Sequence, residues 1–69
     1  MRNDIIKKIE SHGFRKVKFY ERVLDDWYYD AILPNGKRVE IMIRDNKIYW
    51  RYLRNDKINL SWKEIGNIN

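Results

Sequence analysis

The sequence predicts an α+β fold: a short N-terminal helix packed on an antiparallel β-meander of four strands, five if the tail adds one, with a short C-terminal helical turn. Three observations carry this expectation. Ile5, Ile6 and Ile9 fall at helical spacing, four segments of alternating polarity follow, and turn-forming residues stand between those segments. With 69 residues there is room for one domain, residues 1–69, and no repeat, low-complexity stretch or linker divides it.

The helix is expected over residues 4–12. Asn3 or Asp4 supplies an N-cap oxygen, and Gly13 after His12 offers the left-handed residue that ends a helix. Phe14 then clasps the end. So short a helix survives only by lying on something. The strands are expected near Arg15–Val23, Trp27–Leu33, Lys37–Arg44 and Lys47–Arg54.

Parity at the turns fixes the register. In Leu33-Pro34-Asn35-Gly36-Lys37, a two-residue Asn-Gly turn would pair Ile32 with Val39 and mix the faces. A type I turn centred on Pro34 and Asn35, with Gly36 as the left-handed bulge, pairs Leu33 with Lys37 instead. Ala31 then lies beside Val39, Tyr29 beside Ile41 and Trp27 beside Ile43, all on one face. A two-residue turn at Asp45-Asn46 continues the pattern, placing Ile48, Trp50 and Tyr52 beside Ile43, Ile41 and Val39.

The first connection, through Leu24-Asp25-Asp26, lacks glycine. Pairing Val23 with Trp27 sets Phe19 beside Ala31 but drops Glu21 among apolar side chains, an inconsistency that a bulge in this edge strand relieves. In the tail, Ile58-Asn59-Leu60 reads as a short fifth strand. Ser61-Trp62-Lys63-Glu64 has capping-box form, which suits a helical turn through Ile65 before Gly66. Trp62 and Ile65 are expected to help the helix cover the apolar face.

The opposite face is unusual for a solvent-facing sheet. The expected rows read Arg22–Tyr28–Met42–Tyr49, then Tyr20–Asp30–Glu40–Arg51, then Lys18–Ile32–Arg38–Leu53. With Lys16 and Arg44 the face carries six cations against two carboxylates, interleaved with tyrosine and aliphatic side chains. A common solvent face would carry Thr, Ser, Lys and Glu, so this one suits a partner. Tyr20, Arg22, Tyr28, Arg38, Met42, Arg44, Tyr49 and Arg51 are the expected partner-binding residues. The bland reading is that Tyr is a good strand former and that scattered exposed apolar residues are normal.

Composition excludes several classes. Without Cys there is neither a disulfide framework nor a thiolate metal site, and a single His makes a transition-metal centre improbable. No apolar run approaches the roughly 20 residues of a membrane span, and charges interrupt the apolar residues at the N-terminus, so no membrane role and a cytoplasmic location are expected. Fifteen Lys and Arg against ten Asp and Glu give a formal net charge of +5, which raises affinity for anionic partners without choosing among them.

No motif built around a nucleophile, metal, nucleotide or other cofactor is present. His12 stands at a helix end with no evident second catalytic group. Asp25-Asp26, Asp45-Asn46 and Asn55-Asp56 read as turn residues. Pro34-Asn35-Gly36 has no following helix with which to cradle a phosphate. An enzyme is not expected.

Three resemblances bear on function. The leading helix, Gly13-Phe14, and Asn35-Gly36-Lys37-Arg38-Val39-Glu40-Ile41 before Lys47-Ile48 together resemble a PepSY-type domain, a resemblance that implies an extracytoplasmic setting and a role in protease inhibition. The opening Ile5-Ile6-Lys7-Lys8-Ile9-Glu10-Ser11-His12-Gly13-Phe14 is similar to the start of a HicA-type RNA-cleaving toxin. That family sets its catalytic His after a Gly-Ser within a strand. No such His exists in this chain, so the nuclease role is not carried over. A small chain rich in Ile, Asn, Lys and Tyr also resembles the inhibitor proteins of phages and mobile elements, the anti-CRISPR kind among them.

The expected function is therefore binding: the chain docks on a protein, one that handles nucleic acid such as a defence nuclease, and inhibits or regulates it. The alternative is direct binding of single-stranded nucleic acid, with tyrosines stacking on bases and Lys and Arg on phosphates. An exposed edge strand also invites self-pairing into a homodimer.

Overall fold

The computed structural model describes residues 2–53 and 61–68. It contains one short helix and a five-stranded, wholly antiparallel sheet: α1 (Arg2–Glu10), β1 (Arg15–Val23), β2 (Asp26–Ile32), β3 (Arg38–Arg44), β4 (Lys47–Tyr52) and β5 (Lys63–Asn67). The strands follow one another across the sheet in chain order, so the fold is a meander and mainly β. No helix among the described residues is long and apolar enough to cross a membrane.

Helix α1 begins two residues before the expected start, which places Asp4 inside its first turn, where a carboxylate favours the helix dipole. Its last turn tightens: the His12 and Gly13 amides donate three residues back, to the Ile9 and Glu10 carbonyls, at 3.0 and 2.9 Å. Gly13 sits at φ +99°, as its position predicts, and the expected end at residue 12 becomes a turn after Glu10.

The two central turns form as parity requires. The Gly36 amide donates to the Leu33 carbonyl at 2.8 Å, the Leu33 amide donates to Lys37 at 2.9 Å, and Gly36 takes φ +89°. Asp45 and Asn46 both have positive φ, the demand of a type I′ turn. Every expected pair between β2 and β3 and between β3 and β4 is present, including Tyr29 with Ile41 and Ile41 with Trp50. Val39 and Ile41 are fully buried, as are Tyr29, Ile48 and, from the helix, Ile9. Phe14, Ala31 and Ile43 complete this core, and Ile5, Ile6, Trp27, Trp50 and Tyr52 pack around it.

Strand β1 departs from the simple register. Val23 pairs with Asp26 rather than Trp27, and Phe19 with Tyr29 rather than Ala31, so the connection is a two-residue turn at Leu24-Asp25. Two bulges absorb the offset. One follows Arg15, where Lys16 has φ +53°; the other inserts Tyr20 between Phe19 and Glu21. The second bulge is the device the misplaced Glu21 calls for: it returns Glu21 to the polar face, opposite Tyr28.

The C-terminal segment forms β5 and not the expected helical turn. Tyr49 pairs with Glu64, Trp50 with Lys63 and Ile48 with Gly66, with Ile65 as the extra residue of a bulge. A capping box offers two local hydrogen bonds, whereas pairing satisfies a whole row of β4 backbone groups and sets Ile65 and Ile68 against the core. Trp62, expected over the apolar face, consequently falls on the other one. The strand expected at Ile58-Asn59-Leu60, and the end of β4 expected at Arg54, lie outside the described residues.

Candidate functional site

The face away from α1 is built by cross-strand rows whose order follows from the bulges. One row now reads Glu21–Tyr28–Met42–Tyr49–Glu64, and the next Lys18–Asp30–Glu40–Arg51. Tyr20, the inserted residue, sits between them. Its ring centroid lies 6.3 Å from that of Tyr28, and Tyr28 lies another 6.3 Å from Trp62. The three rings form a bent aromatic row across the sheet.

Glu40 is the anchor beneath that row, only 8% exposed although it carries a carboxylate. Burying a charge demands partners. The Tyr20 hydroxyl donates to its Oε2, and Arg51 donates Nε to Oε1 at 3.0 Å, with Nη2 3.0 Å from the same oxygen. The Arg51 guanidinium also lies 4.2 Å from the centroid of Trp62, close enough for a cation–π contact. Burial first, then the hydrogen bond to Glu40, push the Tyr20 phenol well above its ordinary pKa, and the charges of Glu40, Asp30 and Glu21 add to the shift. Tyr20 is therefore a neutral donor throughout the physiological range.

The expected binding residues separate into three groups. Tyr20, Tyr28, Tyr49 and Arg51 come together on this face. Arg38 and Arg44 lie toward its opposite ends: Arg38 beside Leu53, Lys37 and Tyr52 around a shallow depression of about 450 Å³, and Arg44 in a bidentate pair with Asp26 at 3.0 and 2.6 Å. That pair holds the Asp26 carboxyl below its usual range.

Two expectations are corrected. Met42 is 2% exposed between its cross-strand partners Tyr28 and Tyr49, so it serves as floor and offers almost no contact surface. Arg22 pairs with Trp27, not Tyr28, because the bulge shifts the strand; its guanidinium lies 5.9 Å from the Trp27 centroid, and its Nε donates to the Leu24 carbonyl at 2.8 Å.

The charge balance changes with the register. Among the described residues outside the Lys16 bulge, the face carries Arg15, Lys18, Arg38, Arg44, Lys47 and Arg51 against Glu21, Asp26, Asp30, Glu40 and Glu64. Six cations meet five carboxylates, where the simple register gives two. Sequence reasoning missed Glu21, Asp26, Glu64 and above all Trp62. The bulge demanded by Glu21 and the Lys63–Ile65 alternation were the signals that could have found them.

Between the rings lies a concave notch of about 230 Å³, lined by Tyr20, Glu21, Val23, Tyr28, Glu40, Arg51 and Trp62. Rings, carboxylates and one internally paired guanidinium can hold a partner group but present no activated nucleophile. Among the described residues, no cluster of three or more His, Asp or Glu side chains is placed to hold a metal ion. Compared with protein-family models, curated proteins and solved structures, the chain matches none.

Proposed function

We propose that this chain is a non-enzymatic binding protein that docks on a protein partner through the Tyr20–Tyr28–Trp62 face and restrains or regulates it. The observation that carries this reading is the aromatic row itself. Its two outer rings, Tyr20 and Trp62, are held by Glu40 and Arg51 before any partner arrives, so less side-chain entropy remains to be lost on binding. Large, semi-rigid aromatic side chains over a desolvated polar anchor are the usual core of a protein interface.

Direct binding of nucleic acid draws less support. Five carboxylates share the face with its cations, and Arg44 and Arg51 already hold carboxylates of their own chain. A phosphate backbone would therefore find much less attraction on this face than the simple register suggested. A protein that handles nucleic acid suits the face better, because its own phosphate-binding surface presents Arg and Lys.

The test is capture from nuclease-treated lysate by the wild-type chain and by Tyr28→Ala, beside gel shifts on the same two proteins. A specific protein retained by wild type and lost by Tyr28→Ala is expected, with weak gel shifts alike for both. Tight oligonucleotide binding that Tyr28→Ala abolishes would overturn the reading.

A further inference from the structure

We infer that the notch between Tyr20, Tyr28 and Trp62 is a receptor for one basic side chain, an Arg guanidinium or a Lys ammonium, presented by the docking partner. This rests on the reading that the face binds protein, and goes further by naming the group recognised.

The walls come first. Tyr20, Tyr28 and Trp62 all line the notch, with adjacent ring planes tilted by 40° and 44°, so no two of them lie flat against each other. Such an enclosure attracts cations. The surroundings have the same sign: the two central rows hold Glu21, Asp30, Glu40 and Glu64 against Lys18 and Arg51. An anion entering here would face that excess, while Arg51 is turned onto Glu40.

The chain also carries its own demonstration of the chemistry. At the Trp62 end, Arg51 already occupies the arrangement proposed for the partner, its guanidinium over an indole and bonded to a carboxylate. The Tyr20 end offers the same elements without such an occupant among the described residues: two rings, the exposed carboxylate of Glu21, and Val23 as an apolar lip for the methylene stem. The size agrees. About 230 Å³ falls below the roughly 300–1,000 Å³ of a small-molecule pocket but accepts one side-chain head.

The experiment is a titration of the full chain followed by amide and indole NMR signals. The probes are Nα-acetyl-arginine methylamide, its neutral isostere Nα-acetyl-citrulline methylamide, tetramethylammonium, and Nα-acetyl-glutamate methylamide. The arginine probe and tetramethylammonium should shift the Trp62 indole and the Tyr20 and Tyr28 amides saturably in the millimolar range, leaving the Trp27 and Trp50 indoles on the other face unmoved. Citrulline should bind at least about tenfold more weakly, since it keeps the shape and loses the charge. Glu21→Gln should weaken the arginine probe several-fold without lowering the melting temperature.

Equal shifts from citrulline, preference for the glutamate probe, or no saturable shift at these residues would overturn the inference. The two readings fail separately. Loss of the arginine preference with Tyr28-dependent protein capture intact removes only the basic-side-chain receptor, whereas loss of that capture removes the docking face itself.

Discussion

At the scale of single residues, two side chains hold conformations or ionisation states that need explanation. Leu24 occupies the first position of the β1–β2 turn at φ +56° with its side chain 85% exposed, a setting that ordinarily belongs to glycine. Left-handed backbone costs a β-carbon-bearing residue about 1–2 kcal/mol. Because the exposed side chain contributes little packing, Leu24→Gly is expected to stabilise the fold by about 0.5–1 kcal/mol after the added unfolded-state entropy, a rise of several degrees in Tm on thermal unfolding. An unchanged or lower Tm would mean that Leu24 makes a stabilising contact. Tyr20 provides the second test. Its folded-state pKa is raised, so its contribution to stability is complete below the ordinary tyrosine pKa and is lost as pH rises beyond it, where the unfolded state ionises first. Ultraviolet titration of the wild-type chain against Tyr20→Phe should show, by difference, the loss of one tyrosine that ionises later than an ordinary one.

At the scale of elements, legibility followed local chemistry. The β2–β3 and β3–β4 hairpins were readable because Pro34-Asn35-Gly36 and Asp45-Asn46 each permit few backbone solutions, and only one keeps Val39, Ile41 and Ile43 on a common face. The prediction for this core is direct. Ile41→Ala should cost about 2–5 kcal/mol and shift the denaturation midpoint far enough to unfold much of the population, because the residue is fully buried. Strand β1 was half readable: Glu21 signalled that a bulge was needed, but nothing in the sequence located it at Tyr20, and its position decides which of Glu21 and Arg22 faces Tyr28. β5 was misread because Ser61 and Glu64 satisfy a local helical motif, while the pairing that prevails depends on β4, distant in sequence. The candidate site inherited both errors, since Trp62 and Glu21 reach it only through them. The β1 bulges, one of which repositions Glu21, also blunt the outer edge of that strand, a common guard against strand-to-strand association.

At the scale of the whole molecule, the net charge of +5 does not describe the face that matters. The aromatic face holds only one more cation than carboxylates among its described positions. Other cations lie elsewhere: Lys37 and Lys63 lie over Tyr52 and Trp50, and Lys7 and Lys8 are on α1. A dispersed excess of this kind attracts a polyanion from all sides without organising it. Binding to an oligothymidylate should therefore be weak, in the range of about 10⁻⁴–10⁻⁶ M expected of nonspecific association, and should fall steeply between about 50 and 200 mM salt as condensed counterions cease to drive it. Base stacking on the sheet would add a salt-insensitive contribution, and Tyr28→Ala would then weaken binding by about 1–3 kcal/mol per stacked base. With carboxylates interleaved among the rings, that contribution should be missing. Fluorescence anisotropy at several salt concentrations should give the same curve for the wild-type chain and Tyr28→Ala, whereas Lys7→Glu with Lys8→Glu, far from the notch, should weaken binding measurably. Superimposable curves for the first pair alongside a loss in the second would place nucleic-acid affinity in the overall charge and leave the aromatic face to a protein.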